Sequence, residues 1–194
     1  MSYSQNKEQN IILNYFGSKV GRFVEIGAYH PIQLSNTRAL VERGWSGIYI
    51  EANKRHVDTF EAFYQNDKQI EVIFGALSET DEPVTFYGCN DAVGTTDVKH
   101  KQKWSSLIAF DEGKTVPAFS IENLIKRTTG FDFLTLDTEG TSYQLFSLMP
   151  DEYLQSLSLI CVEHDSKIKD INHRMKGLGF KNLDLNGENA IYGK

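Results

Sequence analysis

Carboxylates stand at the ends of four of the five apolar segments that have the character of buried strands. These segments end at or beside Glu25, Glu51, Asp137 and Glu163, and His164 follows the last of them. Such side chains accept hydrogen bonds, attract cations and take up protons from reacting groups. Because ligands bind beyond the carboxyl ends of the strands in an open parallel sheet, we expect these residues to surround one site.

The five segments alternate with helical patterns, which favours an α/β fold built on a mostly parallel sheet. The predicted sheet strands lie at residues 22–27, 47–51, 70–77, 131–137 and 157–163. Predicted helices lie at residues 5–16, 38–43, 55–65, 121–126, 142–148 and 166–178. An additional antiparallel strand is expected at 83–88 and a closing hairpin at 180–192. Asn186-Gly187 would form its type I′ turn.

Composition narrows the classes of protein that this chain can belong to. The 194 residues are 40% hydrophobic and carry 26 acidic and 20 basic groups, a net charge of −6. This is globular composition, and the absence of a basic excess speaks against a nucleic-acid partner. No apolar run is long enough for a membrane span, and the polar N-terminus does not resemble a signal peptide. We therefore expect a soluble, cytoplasmic protein.

Residues 88–115 break the regular alternation. The sequence indicates a single domain over residues 1–194, because no linker composition interrupts it. Within that domain, a long stretch without clear periodicity is typical of a binding loop or lid. We therefore predict that residues 88–115 cover the substrate.

The turn after the first predicted strand does not suit a dinucleotide. A dinucleotide fingerprint needs three glycines that let the backbone approach a pyrophosphate. Here Gly27 is followed by Tyr29 and Ile32 at the other two glycine positions. Bound NAD or FAD is therefore disfavoured.

An acidic site without phosphate-binding features fits S-adenosylmethionine, which carries an ammonium and a sulfonium but no phosphate. Glu51 lies 24 residues beyond Gly27. An acid about 20 residues beyond the glycines binds the ribose hydroxyls in related nucleotide folds. We therefore expect Glu51 to hold the ribose of this cofactor.

Three segments resemble motifs of the FkbM family of methyltransferases. They are residues 21–28 (GRFVEIGA), 35–37 (SNT) with 44–51 (GWSGIYIE), and 131–140 (FDFLTLDTEG). The resemblance extends over residues 4–192, which is nearly the whole chain. It implies a class I, Rossmann-like methyltransferase with a three-layer fold and a seven-stranded sheet of order 3-2-1-4-5-7-6. The last strand of that sheet would be antiparallel.

The resemblance and the strand ends together give a candidate cofactor site. We expect Glu25 to contact the cofactor ammonium, although it could instead pair with a lysine. The segment 35–37 could bind the cofactor carboxylate or act only as a helix N-cap, and 76–78 could flank the adenine or be an ordinary strand end. The candidate cofactor-binding residues are Glu25, Gly27, Ala28, Tyr29, Ser35, Asn36, Thr37, Glu51, Ala52, Ala76, Leu77, Ser78 and Asp137.

Two arrangements for catalysis remain open. Methyl transfer to a hydroxyl needs a base, and the candidate catalytic residues are Asp137, Glu139 and His164. Alternatively, Asp137, Glu163 and His164 could bind one Mg²⁺ or Mn²⁺ that lowers the pKa of the hydroxyl.

The function that these expectations favour is O-methylation of a sugar or of a glycosylated small molecule. The acceptor would be a small molecule or glycan. The alternatives are methyl transfer to a protein or to a nitrogen atom, and a scaffold module that binds the cofactor without catalysis.

Overall fold

The computed structural model describes residues 2–194. Its strands are β1 (Arg22–Ile26), β2 (Ser46–Glu51), β3 (Ile70–Phe74), β4 (Ala76–Ser78), β5 (Val84–Phe86), β6 (Lys114–Val116), β7 (Ala118–Ser120), β8 (Phe133–Leu136), β9 (Leu159–Glu163), β10 (Lys181–Leu185) and β11 (Asn189–Gly193). Its helices are α1 (Glu8–Phe16), α2 (Arg38–Val41), α3 (Lys54–Tyr64), α4 (Val98–Trp104), α5 (Ile121–Thr128), α6 (Ser142–Leu148), α7 (Asp151–Ser156) and α8 (Ile168–Gly177). Within residues 2–194, no helix has the length and apolar character to cross a membrane.

A seven-stranded sheet forms the centre of the molecule, in the order β3-β2-β1-β8-β9-β11-β10. Strand β11 is antiparallel to both β9 and β10, whereas the other neighbouring strands pair in parallel. When the strands of this sheet are numbered by themselves, the order is 3-2-1-4-5-7-6. The predicted topology and the reversed last strand are therefore confirmed.

Helices cover both faces of the sheet and give the three expected layers. Alternation along β1 sends Phe23 into one hydrophobic cluster, and Val24 and Ile26 into the other. The first cluster includes apolar residues of α1, α2 and α3, and the second includes those of α5 to α8. Glu25 shares a face with Phe23, so its carboxyl group lies buried beneath the α1–α3 layer.

The predicted strand at residues 70–77 is two strands. After β3 ends, the Gly75 N–H donates to the Glu51 carbonyl at 2.9 Å, and the Ala76 N–H donates to the Pro117 carbonyl at 2.9 Å. The chain thereby leaves the main sheet, and β4 pairs in parallel with β7. This change of partner carries Ala76 and Leu77 over the end of β2. The additional antiparallel strand that the sequence predicts is β5, paired with β6.

Two other local features differ from the sequence-based expectations. The segment without clear periodicity contains helix α4. The sequence carries no signal for this helix because it is lysine-rich and has no fully buried residue. The closing hairpin is present, but its turn spans residues 186–188, and neither Asn186 nor Gly187 has positive φ. The type I′ prediction is therefore wrong. The Asn186 side-chain oxygen instead accepts from the N–H groups of Glu188 and Asn189.

Two glycines provide a matched test of packing around the sheet. A Cβ at Gly47 would lie 2.4 Å from the Phe23 ring, whereas one at Gly177 in α8 would meet nothing within 4 Å. We expect Gly47→Ala to lower the free energy of unfolding by about 1–3 kcal/mol, the usual cost of overpacking. Gly177→Ala should leave it unchanged or raise it by up to about 1 kcal/mol, because alanine favours the helix. Urea unfolding checks both, and equal effects would contradict the packing described.

Candidate active site

The ends of β1 and β8 approach each other closely at Gly27. This residue has φ +79°, and a Cβ there would lie 1.6 Å from the Asp137 carbonyl oxygen. The Asp137 N–H donates to the Ile26 carbonyl at 3.0 Å. Any side chain at position 27 would push the two strand ends apart. The glycine is therefore required by the approach of β8.

A cavity lies over the ends of β1 and β2 and the start of β4; we call it the Glu51 cavity. It is lined by Ile26, Gly27, Ile50, Glu51, Ala52, His56, Gly75, Ala76, Leu77, Phe86, Ala92, Gly94, Thr96, Asp137, Thr138, Glu139 and Thr141. Within residues 2–194, no lysine or arginine contributes to this lining. The apolar side chains suit a flat heterocycle, and the acids suit hydroxyl groups or a cation but not a phosphate.

Glu51 is a buried carboxylate with few donors. It accepts a hydrogen bond from the Asn53 N–H at 2.5 Å, and the His56 Nδ1 atom lies 3.9 Å from the same oxygen. Burial raises the pKa of Glu51 to about 7. Burial also lowers the pKa of His56 to about 4, so that histidine is neutral near pH 7. The carboxylate consequently has acceptor capacity left for two hydroxyl groups of a ligand.

Glu25 obtains its hydrogen bonds from the segment before α2. The Thr37 hydroxyl donates to Glu25 Oε2, and the Asn36 N–H donates to Oε1 at 3.4 Å. Burial nevertheless raises the pKa of Glu25 to about 7. The Ser35 hydroxyl accepts from the N–H groups of Thr37 and Arg38, as in a helix N-cap. Glu25 therefore does not pair with a lysine, and Ser35 and Thr37 support its position.

A second cavity lies beside Glu25; we call it the Glu25 chamber. It is lined by Gln5, Glu8, Glu25, Ile26, Gly27, Tyr29, His30, Leu34, Asn36, Ala92, Thr135, Asp137, Glu139 and Asn189. Five of these residues, Ile26, Gly27, Ala92, Asp137 and Glu139, also line the Glu51 cavity. One ligand could therefore extend through both cavities across Gly27.

Asp137 and Glu163 form a carboxyl pair beside the two cavities: Asp137 lines both of them, and Glu163 lines the groove beside α4. Burial raises the pKa of Asp137 well above its usual range, and the charges of Glu163 and Glu139 raise it further. Burial, with the charges of Asp165 and Glu139, raises the pKa of Glu163 to about 7. Asp137 consequently keeps its proton and donates it to Glu163. Glu163 also accepts from the Ser142 hydroxyl at 2.6 Å.

Glu139 supports this pair from the next turn. Its N–H donates to Glu163 Oε2 at 3.1 Å, and its carboxylate lies 3.0 Å from His100 Nε2. The residue has φ +55°, a left-handed conformation that is uncommon for a residue with a side chain. Backbone strain of this kind is concentrated at functional sites.

The structure does not bring Asp137, Glu163 and His164 together as metal ligands. Within residues 2–194, no three His, Cys, Asp or Glu side chains are arranged to hold a metal ion. The Glu163 carboxylate is directed at Ser142 and at the Glu139 N–H, and Glu163 and His164 line a groove beside α4 that Asp137 does not line. The His164 Nδ1 atom accepts from the Ser166 N–H at 3.1 Å. The predicted Mg²⁺ or Mn²⁺ site does not fit these residues.

Most of the residues predicted to bind the cofactor line one of the two cavities, but Ala28, Ser35, Thr37 and Ser78 line neither. Ala52, Ala76 and Leu77 line the Glu51 cavity, and Tyr29 and Asn36 line the Glu25 chamber. By contrast, Ala28 is packed in the hydrophobic cluster beneath α1–α3, and Ser78 faces a groove on the other side of Leu77.

Sequence reasoning missed several residues that the structure places at the site. They are Glu8, His56, Phe86, Ala92, His100 and Asn189. A signal for Asn189 was available, because a reversed last strand begins at the edge where the parallel strands end. No comparable signal exists for Ala92, which reaches the cavity through an irregular segment, whereas Phe86 ends the additional strand β5 that the sequence predicted.

Solved methyltransferase structures share this fold. A Staphylococcus aureus protein described as a caffeoyl-CoA O-methyltransferase has a TM-score of 0.53 at 13% identity, covering 100% of this chain and 85% of that one. A Pyrococcus horikoshii protein described as an RNA methyltransferase has a TM-score of 0.50 at 9% identity, with coverages of 97% and 81%. Monomeric WbdD has a TM-score of 0.52 at 9% identity. The match covers 97% of this chain but only 41% of the WbdD chain. The fold is that of class I methyltransferases.

The family is identified by sequence. Residues 25–181 match the model described as the methyltransferase FkbM domain, and this range is most of the chain. The protein belongs to the FkbM methyltransferase family and is an S-adenosylmethionine-dependent methyltransferase. No curated protein sequence matches the chain. The acidic, lysine-free lining of the Glu51 cavity fits this cofactor, which has a ribose and an adenine but no phosphate.

Removing the Glu51 carboxylate should weaken cofactor binding. A hydrogen bond to a charged acceptor contributes about 1.5–3 kcal/mol, so we expect Glu51→Ala to reduce affinity for S-adenosylmethionine by about 10–100-fold. Isothermal titration calorimetry measures this change. Glu61→Ala, which removes an exposed acid on α3, is the matched control. Unchanged affinity in a folded Glu51→Ala protein would exclude Glu51 from the site.

The raised pKa of Glu51 also predicts how stability depends on pH. Its pKa is about 7 in the folded protein against 4.5 as the reference value, so the folded state binds more protons between these values. The free energy of unfolding should therefore fall as pH rises from 4.5 to 7, by up to about 3 kcal/mol from this group. Glu51→Gln should remove that part of the decline and be more stable than wild type at pH 8. Urea unfolding at pH 5 and 8 tests this, and parallel declines in both proteins would contradict it.

Proposed function

We propose that this protein transfers the methyl group of S-adenosylmethionine to a hydroxyl oxygen of a sugar or of a glycosylated small molecule. The observation that carries the proposal is the Asp137–Glu163 carboxyl pair, in which Asp137 lines both cavities and Glu163 is fixed by the Ser142 hydroxyl and the Glu139 N–H. A neutral alcohol is a weak nucleophile, and its proton must be removed as the oxygen attacks. A buried carboxyl pair in which the pKa of each group is raised is suited to that step.

The proposed division of the cofactor site follows the chemistry of the lining. When bound, S-adenosylmethionine supplies an electrophilic methyl group. Glu51 accepts hydrogen bonds from the ribose hydroxyls, and Ala76 and Leu77 pack against the adenine. Glu25 and the Asn36 side chain lie beyond Gly27, where they receive the ammonium end. This arrangement directs the methyl group towards Asp137.

The proposed proton path uses two carboxyl groups in succession. Asp137 accepts the proton of the acceptor hydroxyl while its own proton moves to Glu163. Glu163 must be ionised for this transfer, and its pKa of about 7 makes that the major state above neutral pH. The Glu139 N–H and the Ser142 hydroxyl fix the receiving oxygen. His164 lines the adjoining groove, where it would contact the acceptor rather than the cofactor.

A sugar acceptor is favoured by the polar lining of the Glu25 chamber, where carboxylate and amide oxygens can accept from several hydroxyls. A phosphate at the reacting end of the acceptor is disfavoured, because no lysine or arginine of residues 2–194 lines either cavity; Lys99 and Lys103 line only the adjoining groove. Transfer to a nitrogen atom, including one of a protein, would depend less on a base of this kind, because a neutral amine is already nucleophilic. A scaffold without catalysis would not need the carboxyl pair.

Residues 88–115 are the proposed lid. Ala92 lines both cavities, the Thr95 hydroxyl donates to the Glu139 carbonyl at 2.7 Å, and the Asn53 amide donates to the Cys89 carbonyl at 3.0 Å. These bonds hold the segment against the residues that follow β2 and β8. Helix α4 adds the His100–Glu139 contact. Opening of these contacts would admit cofactor and acceptor.

A screen for S-adenosylhomocysteine with neutral sugars and glycosides tests the proposed function. With an acceptor found in this way, Asp137→Asn should lower kcat by about 10²–10⁴-fold, the usual contribution of a general base. The wild-type rate should fall as pH drops through about 7, because protonated Glu163 cannot receive the proton. Glu163→Gln should lower the rate and remove that dependence.

The matched control is Asp58→Asn, which alters an exposed acid on α3. His164→Ala distinguishes the alternative base, since a large loss there with full activity in Asp137→Asn would assign the role to His164. Cofactor binding without turnover on any sugar would instead favour another acceptor or a scaffold.

A further inference from the structure

Asn189 has an unused hydrogen-bond acceptor in the Glu25 chamber. It is the first residue of β11 and is 4% exposed. Its backbone N–H donates to the Asn186 side chain at 2.8 Å, and its side-chain Nδ2 donates to Glu8 Oε1 at 3.4 Å. Its Oδ1 atom has no hydrogen-bond partner within residues 2–194. Such an atom in a buried position is costly unless a ligand or water supplies a donor.

The orientation of this amide is fixed by Glu8. The Glu8 carboxylate is fully buried and accepts from the Asn6 N–H at 2.7 Å and from the Asn186 amide at 2.8 Å, in addition to Asn189. Exchanging the amide oxygen and nitrogen of Asn189 would place two oxygens against each other and lose that bond. The unpartnered atom is therefore an oxygen, and the missing group is a donor.

The pairing of β11 places this oxygen near the proposed reaction centre. Asn189 is aligned with Glu163 in the antiparallel ladder, at the edge where the parallel strands end. It shares the lining of the Glu25 chamber with Asp137. A ligand group that donates to Asn189 is therefore held in the same chamber as the group that would lose its proton to Asp137.

The chamber has a strongly acidic lining. Glu8, Glu25 and Glu139 contribute carboxyl groups to it, beside Asp137, which keeps its proton. The group in this lining that could become a cation is His30, and burial lowers its pKa. The ammonium of the cofactor offsets one negative charge. A phosphate or carboxylate entering the remaining space would meet acids without a basic partner.

We propose that the Glu25 chamber seats the reacting end of the acceptor, that Asn189 Oδ1 accepts a hydrogen bond from an acceptor O–H or N–H group, and that this end carries no negative charge. The inference rests on the proposed function in taking the acceptor to be a sugar. It adds a specificity: neutral sugars and amino sugars are accepted, and phosphorylated or acidic sugars are rejected. Asn189 is a binding residue for the acceptor and does not take part in the proton transfer.

The charge specificity can be measured on the wild-type protein without any substitution. Calorimetry with protein saturated with S-adenosylhomocysteine would compare methyl glucoside, glucosamine, glucuronic acid and glucose 6-phosphate as probes. We expect the first two to bind at least about 10-fold more tightly than the last two. Equal or tighter binding of the anionic sugars would overturn the proposal, and so would the failure of all four to bind.

The role of Asn189 is tested by Asn189→Ala in the same titrations. We expect affinity for methyl glucoside to fall by about 10-fold, the typical effect of one lost hydrogen bond, while affinity for S-adenosylhomocysteine stays unchanged. Asn66→Ala, at an exposed position after α3, is the matched control, and a thermal melt of each variant verifies folding. Unchanged sugar affinity in folded Asn189→Ala would remove the residue from the acceptor site.

The outcomes separate this inference from the proposed function. Selective sugar binding that depends on Asn189, but without methyl transfer to any sugar, would overturn the function and support the binding site. Methyl transfer to a sugar whose affinity ignores both its charge and Asn189 would support the function and overturn this inference.

Discussion

The close approach of β1 and β8 at Gly27 is the constraint on which the site depends. The two strand ends lie so close together that no side chain would fit between this residue and the Asp137 carbonyl. The approach places Asp137 at the boundary of both cavities and lets a ligand cross from Glu51 to Glu25 over the bare backbone. In a dinucleotide fold the glycine at this position allows the tight turn, and the next glycine, whose place Tyr29 takes here, admits the pyrophosphate. Here acids line the cavities in place of phosphate-binding groups.

The site also contains buried acids that have no basic partner. Glu25, Glu51 and Glu163 receive their hydrogen bonds from backbone N–H groups and hydroxyls, and none of the three pairs with lysine or arginine in the described residues. Burial consequently raises the pKa of each to about 7. Such groups cost stability when ionised, because nothing in the free protein neutralises them. A cationic ligand with hydroxyl donors offsets this cost, so cofactor binding and protein stability are coupled through the same side chains.

The acidic strand ends could be anticipated from the sequence because they depend on short-range patterns, whereas the sheet order could be anticipated only through the family resemblance. Strand periodicity located Glu51 and Asp137, and the family resemblance supplied the order of the strands. The split of residues 70–77 at Gly75 was not visible, since the apolar pattern continues through a change of pairing partner. Helix α4 was missed because its lysines leave no amphipathic signal. The metal site failed for another reason: neighbouring strand ends determine where Cα atoms lie, but not where Glu163 directs its carboxylate.

The reversed last strand explains why acceptor-facing residues are the hardest to find in this chain. Each parallel strand reaches the functional edge with its last residue, so the residues that follow an apolar run are natural candidates. Strand β11 reaches the same edge with its first residue, and Asn189 therefore precedes an apolar run instead of following one. Glu8 reaches it from the start of α1, through its hydrogen bonds to Asn186 and Asn189. The parallel strands supply the acids that we propose bind the cofactor, while Glu8 of α1 and Asn189 of β11 complete the lining of the chamber; the proposed acceptor contacts therefore lie outside the repeating strand–helix pattern.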